Sequence, residues 1–198
     1  MGNHLFDAIR ASATSDDAIF IETVSGERWT YGDALRISGQ LASAIDALGV
    51  RPGDRVAVQV EKSPTALMLY LACVRCGAVY LPLNTAYTLA ELDYFIGDAE
   101  PSLVVCDPAK AEGIGAIAGK VKARVETLGA DGKGSLTDAA ASADTAFTTV
   151  PRANDDLAAI LYTSGTTGRS KGAMLTHDNL ASNSLSLVDY WRLSLIHI

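Results

Sequence analysis

The sequence predicts an α/β fold of mainly parallel sheets covered by helices, and three observations lead to this prediction. Short runs rich in apolar and β-branched residues alternate with segments of helical periodicity along the chain of 198 residues. Caps, prolines and glycines mark the boundaries between these segments. The runs at 102–106 and 157–162 are apolar almost throughout, as expected of strands buried inside a sheet.

Local signals place the individual elements along the chain. Thr30 can cap one helix, and Ser63 followed by Pro64 opens another with a cap and a first-position proline. Thr88 and Glu91 have the spacing of a capping box, which marks a further helix start. The predicted helices cover residues 30–48, 63–77, 88–99, 108–120, 135–141 and 177–191, and the predicted strands cover residues 55–60, 78–83, 102–106, 123–128, 157–162 and 173–176.

Composition and charge limit the classes of function. With 48% hydrophobic and 20% charged residues, the chain has the composition of a globular protein with a core. Its 16 Lys and Arg against 23 Asp and Glu give a net charge of −7, which predicts no nucleic-acid partner. No apolar run approaches the roughly 20 residues needed to span a bilayer, and residues 1–10 lack the pattern of a secretory signal. We therefore expect a cytoplasmic protein without a membrane span.

The three cysteines raise the question of a disulfide or a metal site. One of Cys73, Cys76 and Cys106 remains unpaired in any disulfide scheme, which indicates a reducing compartment. Cys73 and Cys76 form a C-x-x-C inside an apolar stretch at 66–76, but no second Cys or His pair stands at zinc spacing. We interpret both as buried small side chains on one helix face.

A segment rich in glycine and hydroxyl side chains follows the apolar strand at 157–162. Its glycines permit positive φ angles and close approach of backbone N–H groups to a ligand. Its hydroxyls add hydrogen-bond donors and Lys171 adds a full positive charge, so the segment suits a phosphate group. A solvated turn can have the same composition, and the segment does not fit the Walker A pattern. The candidate phosphate-binding residues are Thr163, Ser164, Gly165, Thr166, Thr167, Gly168 and Lys171.

The ordered string ILYTSGTTGRSK at 160–171 resembles the phosphate-binding signature of the adenylate-forming superfamily. That superfamily includes acyl-CoA synthetases, luciferases and the adenylation domains of peptide synthetases. Other segments resemble further landmarks of the family, namely Thr30-Tyr31, PGDRV at 52–56 and GAVYLPLN at 77–84. Thr85, where many relatives carry proline, combines with AYTL at 86–89 and ELDY at 91–94 to resemble the malonyl-CoA synthetase branch.

This resemblance implies both a fold and a reaction. The fold is the N-terminal part of the large domain of adenylate-forming enzymes. The reaction joins a carboxylic acid, malonate in this branch, to ATP to give an acyl-adenylate and pyrophosphate, after which coenzyme A displaces AMP. ATP with magnesium, coenzyme A and the acid are the implied small-molecule partners. The family's acidic metal ligand, adenine pocket and C-terminal lysine lie further along in relatives, so the resemblance identifies no catalytic residue here and leaves the metal ligands unknown.

The resemblance also implies a domain organisation. Residues 1–192 are expected to be the N-terminal portion of the adenylation domain, and residues 193–198 a truncated or foreign tail. The C-terminal domain is expected to be absent from this chain, which alone would then be inactive. The segment 129–154, rich in small and polar residues, is predicted to connect two parts of the sheet system.

Three alternatives remain open at this stage. The chain can belong to an acyl-CoA synthetase for an acid other than malonate, or it can be a non-catalytic nucleotide-binding fragment. Gly113 and Gly115 also fit a loose dinucleotide pattern, but they fall inside a predicted helix and not in a strand-to-helix turn. We interpret these glycines as small residues that permit close helix packing. His177, at the start of the last helix, is interpreted as support for the loop and not as a proton-transfer group.

Overall fold

The protein is described here by a computed structural model that covers residues 2–163 and 169–192. The strands are β1 (Ile19–Glu22), β2 (Arg28–Thr30), β3 (Arg55–Gln59), β4 (Val79–Pro82), β5 (Leu103–Cys106), β6 (Arg124–Thr127), β7 (Leu157–Thr163) and β8 (Lys171–Thr176). The α-helices are α1 (His4–Ala11), α2 (Tyr31–Ala47), α3 (Pro64–Cys76), α4 (Leu89–Ala99), α5 (Ala111–Ala118), α6 (Ser135–Ala141) and α7 (His177–Trp191).

Six of the described strands form one sheet, in the order β6-β5-β3-β4-β7-β8. All neighbouring pairs from β6 to β7 are parallel, whereas β8 pairs antiparallel with β7 at the edge. β1 and β2 form a separate antiparallel pair. The carboxyl ends of the parallel strands therefore meet along one edge, which is where open α/β sheets bind their ligands. The predicted α/β class with a mainly parallel sheet is confirmed.

Helices cover both faces of this sheet. On one face α2, α3 and α6 pack around a cluster that includes Ile45 and Leu69. On the opposite face α4 and α5 pack around a cluster that includes Ile96 and Ile114. These four side chains are fully buried. None of the helices in the described part of the chain has the length and apolar character needed to cross a membrane.

Local sequence signals account for the helix ends. Thr30, Thr88 and Thr176 each form a capping box with the residue three positions on, which satisfies backbone donors at the helix start. Ser63 caps α3 by accepting a hydrogen bond from the N–H of Ala66. Gly77 ends α3 at φ +72°, a conformation that a side chain would strain. The predicted starts at Ser63 and Thr88 are confirmed.

The structure also departs from the sequence prediction in four places. The prediction contains neither α1 nor the β1–β2 pair. The helix predicted at 108–120 is shorter, because 3-10 turns at Pro108–Lys110 and Gly119–Val121 flank α5. Proline lacks an N–H and glycine has low helix propensity, so both ends depart from the α-helix. β8 begins at Lys171, two residues before the predicted start, because its pairing with β7 continues as far as Thr163.

The two glycines of the loose dinucleotide pattern lie within α5 and not in a strand-to-helix turn. A Cβ at Gly113 would lie 3.1 Å from a methyl carbon of Leu89, so this glycine does permit close packing of α5 on α4. A Cβ at Gly115 would meet nothing within 4 Å. The packing interpretation is therefore confirmed for Gly113 and wrong for Gly115, and the dinucleotide alternative loses its structural basis.

A buried arginine of α3 links the connection 129–154 to α2 and α3 through hydrogen bonds. Arg75 is 3% exposed. Its guanidinium donates to the carbonyl oxygen of Phe147 at 2.9 Å and to Oγ1 of Thr149 at 3.1 Å. It also donates to the carbonyl oxygen of Leu35 in α2 at 2.6 Å. Backbone and hydroxyl oxygens, and no described carboxylate, therefore surround this buried charge.

The three cysteines are free and buried, as the sequence predicts for Cys73 and Cys76. Burial raises the pKa of Cys73 well above its ordinary value, that of Cys76 to about 12 and that of Cys106 to about 11.

A thiol that is neither ionised nor accessible reacts slowly with alkylating reagents. We expect brief iodoacetamide treatment of the native protein at pH 8 to leave all three unmodified in peptide mass spectrometry. The same treatment in urea should modify all three, and modification of any of them in the native protein would contradict this account.

Candidate functional site at the β7–β8 connection

The predicted phosphate-binding segment connects β7 to β8 at the carboxyl edge of the sheet. β7 ends at Thr163 and β8 begins at Lys171, and the two residues are partners in the antiparallel register. The structure thus brings the two ends of the predicted site together. The other predicted residues lie outside the described residues: Ser164, Gly165, Thr166, Thr167 and Gly168.

The segment that follows β4 leaves the sheet at the same edge, because Tyr80 of β4 is paired in parallel with Ala159 of β7. Hydrogen bonds hold this segment in place. Nε2 of Gln59 donates to the carbonyl oxygen of Asn84 at 2.8 Å, and Nζ of Lys110 donates to the carbonyl oxygen of the next residue, Thr85, at 2.6 Å. The edge beside β7 is therefore polar and ordered.

An open cleft of about 880 Å³ lies at the carboxyl ends of β3 and β4, beside the start of α3. Its walls combine apolar side chains such as Leu67 with the aromatic rings of Tyr70 and Tyr80 and the cationic Lys62. The two tyrosine rings pack edge to face, with centroids 5.1 Å apart. Burial raises the pKa of both Tyr70 and Tyr80, so their hydroxyls remain protonated at neutral pH.

Side chains of α4 hold the end of β7 on the opposite face of the sheet. The ring of Tyr162 packs against Phe95, with centroids 4.6 Å apart. The hydroxyl of Tyr162 donates to the carboxylate of Asp98. Burial and this hydrogen bond raise the pKa of Tyr162, which keeps the hydroxyl protonated as a donor. The strand that enters the loop is therefore fixed to α4 one residue before Thr163.

The same helix holds the chain where it enters β8. The hydroxyl of Tyr94 donates to the carbonyl oxygen of Ser170 at 2.8 Å. The guanidinium of Arg169 lies over the Tyr94 ring, 5.7 Å from its centroid, in cation–π geometry. Arg169 is itself exposed, so its charge remains accessible to solvent. Lys171 is also exposed, and no described carboxylate pairs with it.

Gly172 matters for the hairpin because it lies opposite Tyr162 in the antiparallel register. A Cβ at Gly172 would lie 2.8 Å from Cγ2 of Ile160. A larger residue at this position would therefore force either the Ile160 side chain or β8 to shift. The glycine permits the close approach that places Lys171 beside Thr163.

His177 begins α7 as predicted, but it lies at the end of β8 remote from the loop. Six strand residues separate the two ends by roughly 20 Å. The interpretation of His177 as support for the loop is therefore wrong. The side chain is fully buried, and burial lowers the pKa of His177, with the nearby Arg152 adding to this effect.

Tyr94 and Asp98 are the residues that sequence reasoning missed. Their spacing of four residues predicts a shared flank of α4, and that signal was available in the sequence. Their partners lie 76 and 64 residues away, and no local pattern identifies such contacts. Within residues 2–163 and 169–192, no three His, Cys, Asp or Glu side chains are grouped as metal ligands.

Solved structures share this architecture. Over 98% of its length the chain is 62% identical to MatB from Rhodopseudomonas palustris in the apo form, with a TM-score of 0.94, and covers 38% of that chain. The ATP-bound structure of the same protein matches at 62% identity over 98% of this chain and 39% of that chain, with a TM-score of 0.93.

Curated relatives and a family model agree with these structures. Feruloyl-CoA synthase of an Amycolatopsis species is 37% identical over 82% of this chain and 31% of its own length. Long-chain-fatty-acid–CoA ligase FadD13 of Mycobacterium tuberculosis is 30% identical over 89% of this chain and 35% of its own length. The chain thus spans about a third of the length of these relatives. The model of the AMP-binding enzyme family matches residues 8–196. The chain therefore belongs to the AMP-binding enzyme family.

Proposed function

We propose that the full-length protein that contains this chain is an ATP-dependent, AMP-forming acid–CoA ligase. The observation that carries the proposal is the string ILYTSGTTGRSK at 160–171, which joins β7 to β8 at the ligand-binding edge of the sheet. ATP-bound MatB, at 62% identity over 98% of this chain, supports ATP as the nucleotide. The residues proposed to contact its phosphates are Thr163, Ser164, Gly165, Thr166, Thr167, Gly168 and Lys171.

The proposed reaction has two steps. In the first, a carboxylate oxygen of the acid attacks the α-phosphorus of ATP, and the bond to the bridging oxygen breaks with release of pyrophosphate. In the second, the thiol sulfur of coenzyme A attacks the acyl carbon, the thiol loses its proton and AMP leaves. Magnesium enters this proposal only as the ion that accompanies ATP.

The role proposed for Lys171 follows from the charge that moves in the first step. Negative charge grows on the departing pyrophosphate, and a preorganised cation and hydroxyl groups stabilise it best. Thr163 and Lys171 are register partners on adjacent strands, so their side chains leave the hairpin on the same face and offer two donors. The paired strands of the hairpin need little reorganisation as the charge develops.

The acid substrate that we propose is malonate. The identity of 62% to MatB far exceeds the 37% and 30% to the feruloyl and long-chain-fatty-acid enzymes, which argues against the acids of those two relatives. The resemblance of residues 85–94 to the malonyl-CoA synthetase branch supports the same choice. A related ligase for another acid is the competing proposal.

A substrate panel tests this proposal. The full-length protein should be incubated with ATP, magnesium, coenzyme A and one of malonate, acetate, ferulate or palmitate, and AMP and acyl-CoA quantified by liquid chromatography and mass spectrometry. We expect malonate to give equal amounts of AMP and malonyl-CoA, at the highest kcat/KM of the panel. Preference for another acid would overturn only the substrate assignment. Absence of AMP with every acid would overturn the ligase assignment.

A further inference from the structure

α4 contacts both strand ends of the hairpin from a single flank. Tyr94 holds the carbonyl oxygen of Ser170 beside β8, and Asp98, one turn further along, holds the hydroxyl of Tyr162 in β7. The rings of Tyr94 and Tyr162 lie edge to face, with centroids 6.4 Å apart. One helix thus fixes the chain on both sides of the segment proposed to bind phosphate.

α4 is itself held firmly. Its first turn is closed by a capping box, and Leu92 and Ile96 are buried in the cluster on that face. Phe95 of the same helix is buried in that cluster as well. A contact made by Tyr94 therefore joins the hairpin to a part of the fold that has little freedom to move.

Among the described strands, β8 has a single partner, β7. Its first residue, Lys171, immediately follows Ser170, whose carbonyl oxygen Tyr94 holds. A hydrogen bond to that carbonyl restricts rotation of the peptide unit that joins Ser170 to Lys171. The flexible four-carbon stem of the lysine then starts from a fixed point.

We propose that Tyr94 is a positioning residue for ATP, whose hydroxyl fixes the backbone from which Lys171 reaches the phosphates. This inference rests on the proposed function of the 163–171 segment. Tyr94 itself does not contact the reacting atoms in this scheme. It acts through Ser170 and, through the stacked guanidinium, Arg169.

The test is Tyr94→Phe in the full-length protein, which keeps the ring under Arg169 and removes only the hydroxyl. Losing one hydrogen bond of ordinary strength should raise the KM for ATP about three- to tenfold. We expect kcat at saturating ATP to fall by no more than the KM for ATP rises, because Lys171 stabilises the departing pyrophosphate from the same backbone. The KM for the acid should be unchanged, because the Tyr94 hydroxyl contacts only the chain that leads into β8. If the substitution only destabilised the fold, less of the protein would be active. The apparent kcat would then fall, and the KM for ATP would not change.

Tyr87→Phe is the matched control. The Tyr87 ring packs against the same Phe95 ring, with centroids 4.8 Å apart, and its hydroxyl makes no hydrogen bond within the described part of the chain. Tyr87→Phe should leave the KM for ATP unchanged. An equal KM for ATP in wild type and Tyr94→Phe, or an equal rise in both variants, would overturn the positioning role alone. A wild-type protein that forms no AMP with any acid would overturn the proposed function and this inference with it.

Discussion

Replacing Lys171 by methionine in the full-length protein should lower the rate of acyl-adenylate formation by about 10²- to 10³-fold, the usual effect of removing one preorganised stabilising group. The physical reason is that methionine has a similar length but carries no charge to offset the pyrophosphate that departs. Lys171 is exposed and lies at the first residue of β8, so the substitution should leave the fold intact. Rapid-quench measurement of the adenylate in single turnovers checks the rate directly.

Lys133→Met provides the matched control for that variant. Lys133 is an exposed lysine on the connection 129–154, whose ammonium lies 3.8 Å from the carboxylate of Asp131. An exposed pair of this kind contributes little to stability, so adenylate formation should stay within about twofold of wild type. A Lys171→Met rate within threefold of wild type would show that the lysine does not stabilise the departing group.

The second large effect is on stability, at Arg75. Replacing it by methionine should lower the free energy of unfolding by about 3 kcal/mol, because several buried oxygens lose their donor at once. These acceptors include the carbonyl oxygens of Leu35 and Phe147, and Nη1 also donates to the hydroxyl of Ser38 at 2.9 Å. Arg75→Lys should recover only part of the loss, since an ammonium cannot reproduce the planar fork of donors.

Denaturant-dependent hydrogen exchange, read by mass spectrometry on peptides of α2 and α3, measures this loss where it occurs. Arg36→Met is the control, because Arg36 is a half-exposed arginine of α2 that pairs with Asp33 at 3.1 Å. Arg36→Met should lower the free energy of unfolding by no more than about 0.5 kcal/mol. If the α3 amides were as well protected from exchange in Arg75→Met as in Arg36→Met, the buried guanidinium would not stabilise the contact between α3 and the connection 129–154.

Local signals in the sequence predicted α2, α3 and α4, because neighbouring residues decide where these helices begin. The capping box at Thr88 and the helix end at Gly77 are decided within one helical turn, and both appear in the structure as expected. α1 was predictable in the same way, since Asn3 caps it by accepting from the N–H of Phe6. The β1–β2 pair was not, because strands of four and three residues carry too little alternation to be recognised.

In the candidate site, too, the sequence predicted the local features and missed the contacts between distant residues. The string at 160–171 identifies its own chemistry through residue types in a fixed order, and the structure places Thr163 and Lys171 opposite each other as partners. The contribution of α4 depends on pairs such as Tyr94 with Ser170, which only tertiary folding brings together. Arg75 illustrates the same limit, because a cation within an apolar helix gives no local sign of the carbonyl oxygens that surround it. The division of the chain at residue 192 stays a prediction.

Exchange of labelled pyrophosphate into ATP, catalysed by the full-length protein with malonate and without coenzyme A, tests the central claim most directly. If residues 163–171 bind the phosphates of ATP during adenylation, the exchange should require malonate. Its rate should fall by at least about 10²-fold in the double variant Lys171→Met with Thr167→Val. Exchange at the wild-type rate in that double variant would contradict the claim that residues 163–171 bind and stabilise the departing pyrophosphate.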